Sequence, residues 1–66
     1  MPPKTFGTKL KRERMRKGWS QAELAAKFGV TREYVARLES GRHDPPLSTV
    51  ERLAEILRIN IMKLLK

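Results

Sequence analysis

Apolar residues recur along the chain at helical intervals, and residues that start and stop helices stand between them. Val50, Leu53, Ala54 and Leu57 fall at i, i+3, i+4 and i+7, the spacing of a core-facing helical stripe. Phe6, Leu10 and Arg14 share a stripe on a first helix that begins near Phe6 and stops at Gly18, whose freedom at positive φ suits a C-terminal cap. Arg16 and Lys17 complement the carbonyl end of its dipole. Ser20 is an N-cap, and Glu23 three residues on completes a capping-box pattern for a second helix from Gln21 to Phe28, which Gly29 ends. Trp19, just before it, closes the core as a hydrophobic staple or lies half-exposed over it. Thr31 caps a third helix from Arg32 to about Ser40, terminated by Gly41. Beyond the turn-rich stretch Arg42-His43-Asp44-Pro45-Pro46, Ser48 is the expected cap of the fourth helix, and Asn60 of a short last helix over 61–65. No segment alternates apolar and polar residues long enough to predict a strand, so the fold class is all-α, a compact bundle of five short helices. Residues 6–66 form one domain; the loosely held parts are a basic arm over 1–5 and the tip at 43–46.

The second and third helices lie three residues apart, and the segment from Gln21 to Glu39 meets the requirements of a helix-turn-helix. Ala25 is small where the two helices must approach, Gly29 allows the sharp turn, and Val30, Val35 and Leu38 face inward with Leu24 and Phe28. With Val35 and Leu38 inside, helical geometry turns Arg32, Glu33, Ala36 and Arg37 outward, with Tyr34 at the flank. An arginine can bond guanine bidentately, a glutamate can accept from the cytosine amino group, and an alanine methyl can pack on thymine. The third helix therefore offers a face that can discriminate bases in a double-stranded DNA operator. Two plainer readings stand beside that one: a solvated face for the arginines, and for Glu33 an i,i+4 pair with Arg37.

Charge strengthens the nucleic-acid reading without establishing it. Fifteen Lys and Arg against seven Asp and Glu give the 66-residue chain a formal charge of +8, which calls for a polyanionic partner. The excess is concentrated early, where Lys4, Lys9, Lys11, Arg12, Arg14, Arg16 and Lys17 meet only Glu13; some of these can serve solely to solubilise the first helix. The absence of cysteine excludes disulfides and thiolate metal sites. The lone His43 beside Asp44 reads as a solvated turn, and no Ser/His/Asp set, paired carboxylates or phosphate-cradling loop can be assembled. Neither an enzyme, a metal nor a cofactor is expected. No apolar run is long enough to span a bilayer, and residues 1–5 lack a signal-peptide core, so a cytoplasmic, nucleoid-associated protein is expected.

The ordered set Leu10, Arg14, Gly18, Ser20-Gln21, Leu24-Ala25, Gly29, Val35, Leu38-Glu39, Gly41, Pro46, Leu53-Ala54 and Leu57 resembles the phage-repressor and Cro type of helix-turn-helix, also called the xenobiotic-response-element family. The resemblance covers nearly the whole chain and implies a lambda-repressor-like domain acting as a transcriptional repressor or controller. Carried over by position, it implies that Arg32, Glu33 and Arg37 read base edges, with Ala36 on the same face. Ser20 and Gln21, at a helix start, would hold a phosphate, with Gln21 bracing Arg32. Tyr34, Arg42 and His43 would grip backbone, and Pro2-Pro3-Lys4 would reach around the duplex. Arg14 and Glu39 would form a largely buried structural ion pair.

Ile56, Ile59, Ile61, Met62 and Leu65 crowd the C-terminus with more apolar surface than a short helix easily buries. They either complete the core or form the seam of a homodimer, the state expected here because repressors of this type bind paired half-sites. The alternative function is an antitoxin or similar interaction module that binds operator DNA while this cluster holds a protein partner such as a toxin.

Overall fold

Four leucines and a valine at the meeting point of four helices set the architecture. Leu10, Leu24, Val35, Leu38 and Leu53 are fully buried and converge with Ala25, Phe28, Val50, Ala54, Leu57 and Leu64 in one core. The computed structural model describes residues 5–42 and 44–65. It contains α1 (Phe6–Arg16), α2 (Gln21–Phe28), α3 (Arg32–Glu39), α4 (Leu47–Leu57) and α5 (Met62–Leu65), with no strand among the described residues. The arm residues Pro2, Pro3 and Lys4, and His43 at the tip, lie outside the described residues.

Local chemistry accounts for most boundaries. Ser20 Oγ accepts from the Glu23 N–H at 3.0 Å while the Glu23 carboxylate accepts from the Ser20 N–H at 2.7 Å, a complete capping box. The Ser20 backbone N–H first, and the Ser20 hydroxyl second, hold the Glu23 carboxyl below its ordinary value of 4.5. Thr31 Oγ1 caps α3 through the Tyr34 N–H at 3.1 Å. Asn60 Oδ1 accepts from Met62 N at 2.9 Å, so α5 begins at Met62, with Ile61 in the preceding turn. Thr5, placed in the arm by the sequence, caps α1 through the Thr8 N–H.

One expected cap is wrong. Ser48 does not start α4; the helix begins at Leu47, with Pro46 at the N-cap and no side-chain cap bond. The Pro46 carbonyl takes the first bonds itself, from Thr49 N at 3.0 Å and Val50 N at 3.3 Å. Its ring fixes φ at −63° and ψ is 159°, the extended geometry an N-cap needs.

Two backbone features were hidden from the sequence. Gly7, inside α1, is where that helix lies on the last carbonyls of α3: a Cβ there would fall 2.5 Å from the Leu38 oxygen and 2.7 Å from the Glu39 oxygen. Only glycine admits this approach. The second is Arg58, at φ 56° and ψ 48° after α4. Its N–H bonds the Glu55 carbonyl and the Ile59 N–H bonds the Ala54 carbonyl, a glycine-type helix end made with arginine. The left-handed conformation costs an L-residue roughly 1–2 kcal/mol.

Candidate nucleic-acid interface

A polar chain runs from the interior between α1 and α3 out to the exposed start of α3. The close approach at Gly7 sets α1 against the C-terminal end of α3, and Arg14, two turns further along α1, meets Glu39 there. Arg14 Nε donates to Glu39 Oε2 at 2.6 Å and Nη2 donates to Oε1 at 3.1 Å, a two-pronged fork. Their side chains are 10% and 4% exposed, so neither charge could be left single without a large penalty. Arg14 Nη1 donates to the Trp19 carbonyl at 2.7 Å, which ties the α1–α2 turn to the same point.

Gln21 extends the chain to the surface. Its Nε2 donates to Glu39 Oε1 at 3.1 Å, and its Oε1 accepts from Arg32 Nη1 at 3.2 Å. A carboxylate only accepts and a guanidinium only donates, so the amide between them has one orientation that satisfies both. The exposed Arg32 is thereby linked, through one side chain, to the buried Arg14–Glu39 pair. Its other nitrogen, Nη2, lies 3.7 Å from Glu33 Oε2. Glu33 thus neighbours Arg32, and no ion pair between Glu33 and Arg37 occurs among the described residues.

The remaining site residues fall around this chain. Arg32, Glu33 and Arg37 are exposed on α3 and Ala36 is half-buried on the same helix. Tyr34 packs its half-buried ring against the core and lines a groove with Thr49 and Arg52 of α4, which places it on the scaffold flank of α3. Arg42 is exposed past the end of α3, its N–H reaching Ser40 Oγ at 3.4 Å. At the start of α2 the capping box uses the N–H groups of Ser20 and Glu23, leaving those of Gln21 and Ala22 without intrahelical acceptors and aimed outward. No group of three or more His, Cys, Asp or Glu side chains could hold a metal ion among the described residues.

The charge run in α1 is more structural than its composition suggests. Arg12 donates to Glu13 at 3.0 Å and to the Lys63 carbonyl at 3.0 Å, clamping α5 to α1. Glu13 is 3% exposed and Lys9 8%; both were hidden in a stretch that read as solubilising. The C-terminal apolar set divides: Ile56, Ile59 and Ile61 are partly buried against the core, Leu64 is fully inside it, and Met62 and Leu65 are exposed at 44% and 47%. Trp19 is half-buried against the core, with Lys27 Nζ 4.7 Å from its ring centroid. No helix among the described residues is long and apolar enough to cross a membrane.

Comparison with known proteins agrees with this geometry. The family HTH_3, Helix-turn-helix, matches residues 10–64. The SPbeta prophage-derived uncharacterized HTH-type transcriptional regulator YonR of Bacillus subtilis (strain 168) is 39% identical over 61 residues, covering 92% of this chain and 56% of that protein. The immunity repressor protein of Bacillus phage phi105 is 37% identical over 57 residues, covering 86% of this chain and 40% of that one. The chain thus spans about half the length of these curated relatives. Among solved structures, the master regulator for biofilm formation SinR, of Bacillus subtilis, in complex with DNA superimposes with a TM-score of 0.84 at 30% identity, covering 94% of this chain and 100% of that one.

Proposed function

The chain belongs to the Helix-turn-helix family HTH_3, and from that premise we propose that it binds double-stranded DNA of defined sequence and regulates transcription by occupying an operator. In this reading α3 enters the major groove. Arg32, Glu33 and Arg37 read base edges and the Ala36 methyl meets thymine. The free N–H groups at the start of α2, with Ser20 and Gln21, hold a phosphate, and Tyr34, Arg42 and His43 grip the flanking backbone.

One observation carries the proposal: Arg32, an exposed arginine, is held from behind by Gln21, which is held by a buried ion pair. A solvated arginine has no need of such a brace. A guanidinium that must meet guanine in a two-pronged fork gains from it, because less side-chain freedom is lost on binding. The formal charge of +8 adds long-range attraction to the polyanion.

The dimer is the finer part of the proposal. Met62 and Leu65, with the outer edges of Ile59 and Ile61, form the twofold seam, while Ile56 lines a separate groove with Trp19. Two copies then place their α3 helices in successive major grooves, about 34 Å apart. Selection of bound sequences from random duplexes, followed by titration of the best site at several salt concentrations, tests both parts. The expected result is a palindromic consensus whose affinity falls steeply with salt. Equal, weak binding to every duplex would reject sequence-specific reading.

A further inference from the structure

On a face that includes no residue of α3 or of the connection to α4, Lys17, Trp19, Lys27, Glu55, Ile56 and Arg58 line a groove of about 460 Å³. We infer that this groove docks a short acidic segment of a partner protein, one that carries an apolar side chain among its carboxylates. Three observations lead there.

The first is charge left unanswered. Lys17, Lys27 and Arg58 form no ion pair among the described residues, a state they share with several other surface cations, but here the three are gathered on one groove. One carboxylate, Glu55, also lines the groove, so its balance is three cations to one anion. The second is the floor. Trp19 and Ile56 are half-buried against the core and offer apolar surface between the cations, with Lys27 lying over the indole ring. A phosphate backbone asks for cations alone, whereas an apolar floor inside a cationic rim fits carboxylates around an aliphatic or aromatic anchor.

The third is Arg58 itself. At the three other left-handed positions among the described residues the chain uses glycine, at Gly18, Gly29 and Gly41. After α4 it keeps an arginine in the same conformation, φ 56°. The Arg58 side chain makes no hydrogen bond or ion pair among the described residues that would reward the strain from within. A guanidinium kept at such a cost, on the rim of a cationic groove, points to a partner outside the chain. The size of the groove suits two or three side chains rather than a second duplex, and its place leaves it open while α3 engages DNA.

The single tryptophan makes the test direct. The full chain, free and bound to its selected duplex, is titrated with a fluorescein-labelled peptide of repeated Asp-Asp-Leu units, following peptide anisotropy and Trp19 emission. Saturable binding with a change in Trp19 emission is expected in both states. The Lys27→Met/Arg58→Gly double variant should weaken it about tenfold, while Lys11→Met/Lys63→Met, which removes the same charge elsewhere, should leave it unchanged. Arg58→Gly relieves the left-handed strain, so loss of binding in that variant cannot arise from unfolding, and a thermal melt verifies this. Three results overturn the inference: no saturable binding, equal weakening by both double variants, or displacement of the peptide by an excess of unrelated duplex, which would make the groove a second nucleic-acid contact. Failure of sequence selection by α3 would leave this test untouched, because the free chain is assayed separately.

Discussion

The two ends of the molecule are held by different physics. Between α1, α2 and α3 the structure relies on direction: Arg14, Glu39, Gln21 and Arg32 each have partners in one geometry, and every bond constrains the next. Around α4 and α5 it relies on area, with Leu53, Leu57 and Leu64 buried inside and Ile56, Ile59, Met62 and Leu65 graded outward to solvent. Directional contacts fix where a surface arginine points, which suits reading a sequence. Area-based contacts tolerate sliding and exchange, which suits association. The interface and the scaffold thus share one small core but divide its tasks.

Breaking the directional end from one side should produce the largest effect. Glu39→Leu leaves Arg14 buried without its partner and should cost about 3–5 kcal/mol in urea unfolding, whereas adding Arg14→Met should recover much of that loss. If the double variant is no better than the single, the pair is not acting as a unit. Next comes Gly7→Ala, where the new methyl would meet the Leu38 and Glu39 carbonyls; a loss of about 2–3 kcal/mol is expected by the same measurement. Gly18→Ala offers the contrast, since no atom lies within 4 Å of its added Cβ and only the φ of 75° opposes it.

Smaller changes separate reading from folding. Gln21→Ala removes the brace but no buried charge, so stability should change little while affinity for the selected site falls about fivefold, the value of one hydrogen bond. Arg58→Gly should raise stability by about 0.5–1 kcal/mol, since relief of the left-handed conformation outweighs the added freedom of the unfolded chain. The smallest effect concerns pH. The folded-state pKa of Glu23 is lowered by the Ser20 N–H and hydroxyl, so its contribution is present above the ordinary carboxylate value of 4.5 and is lost as pH falls through the depressed one. Glu23→Gln should therefore show a flatter decline of melting temperature with acid than the parent chain.

Most helix boundaries were legible because they are made by local chemistry. Ser20 with Glu23, Thr31, and the glycines at 18, 29 and 41 act within a few residues of themselves, so their roles survive in the sequence. What was lost depended on contacts between distant segments. Gly7 looks like a poor helix residue until α3 is placed on it, although a glycine inside a helical pattern was itself a signal. Glu13 and Arg12 vanish into a charge run: Glu13 is buried and pairs with Arg12, while Arg12, itself exposed, is tied to the Lys63 carbonyl more than forty residues away. Ser48 misled because serine is the better cap by type, while Pro46 occupies the position that counts. Arg58 carries no residue-type signal for the conformation it adopts. The outward face of α3 could be read in advance, since the spacing of Val35 and Leu38 dictates it; the link from Arg32 back to Arg14 required three helices in register.

The central claim is that α3 reads bases and that Arg32 does so from a preset position. It is tested most directly by selecting bound duplexes in parallel with the parent chain and with Arg32→Ala, each verified as folded by circular dichroism. The account predicts a consensus for the parent chain and, for the variant, the same consensus with discrimination lost at one defined base pair in each half-site. An identical consensus from both proteins, or a uniform loss of affinity with no change in preference, would show that Arg32 touches only the backbone and would contradict the assignment.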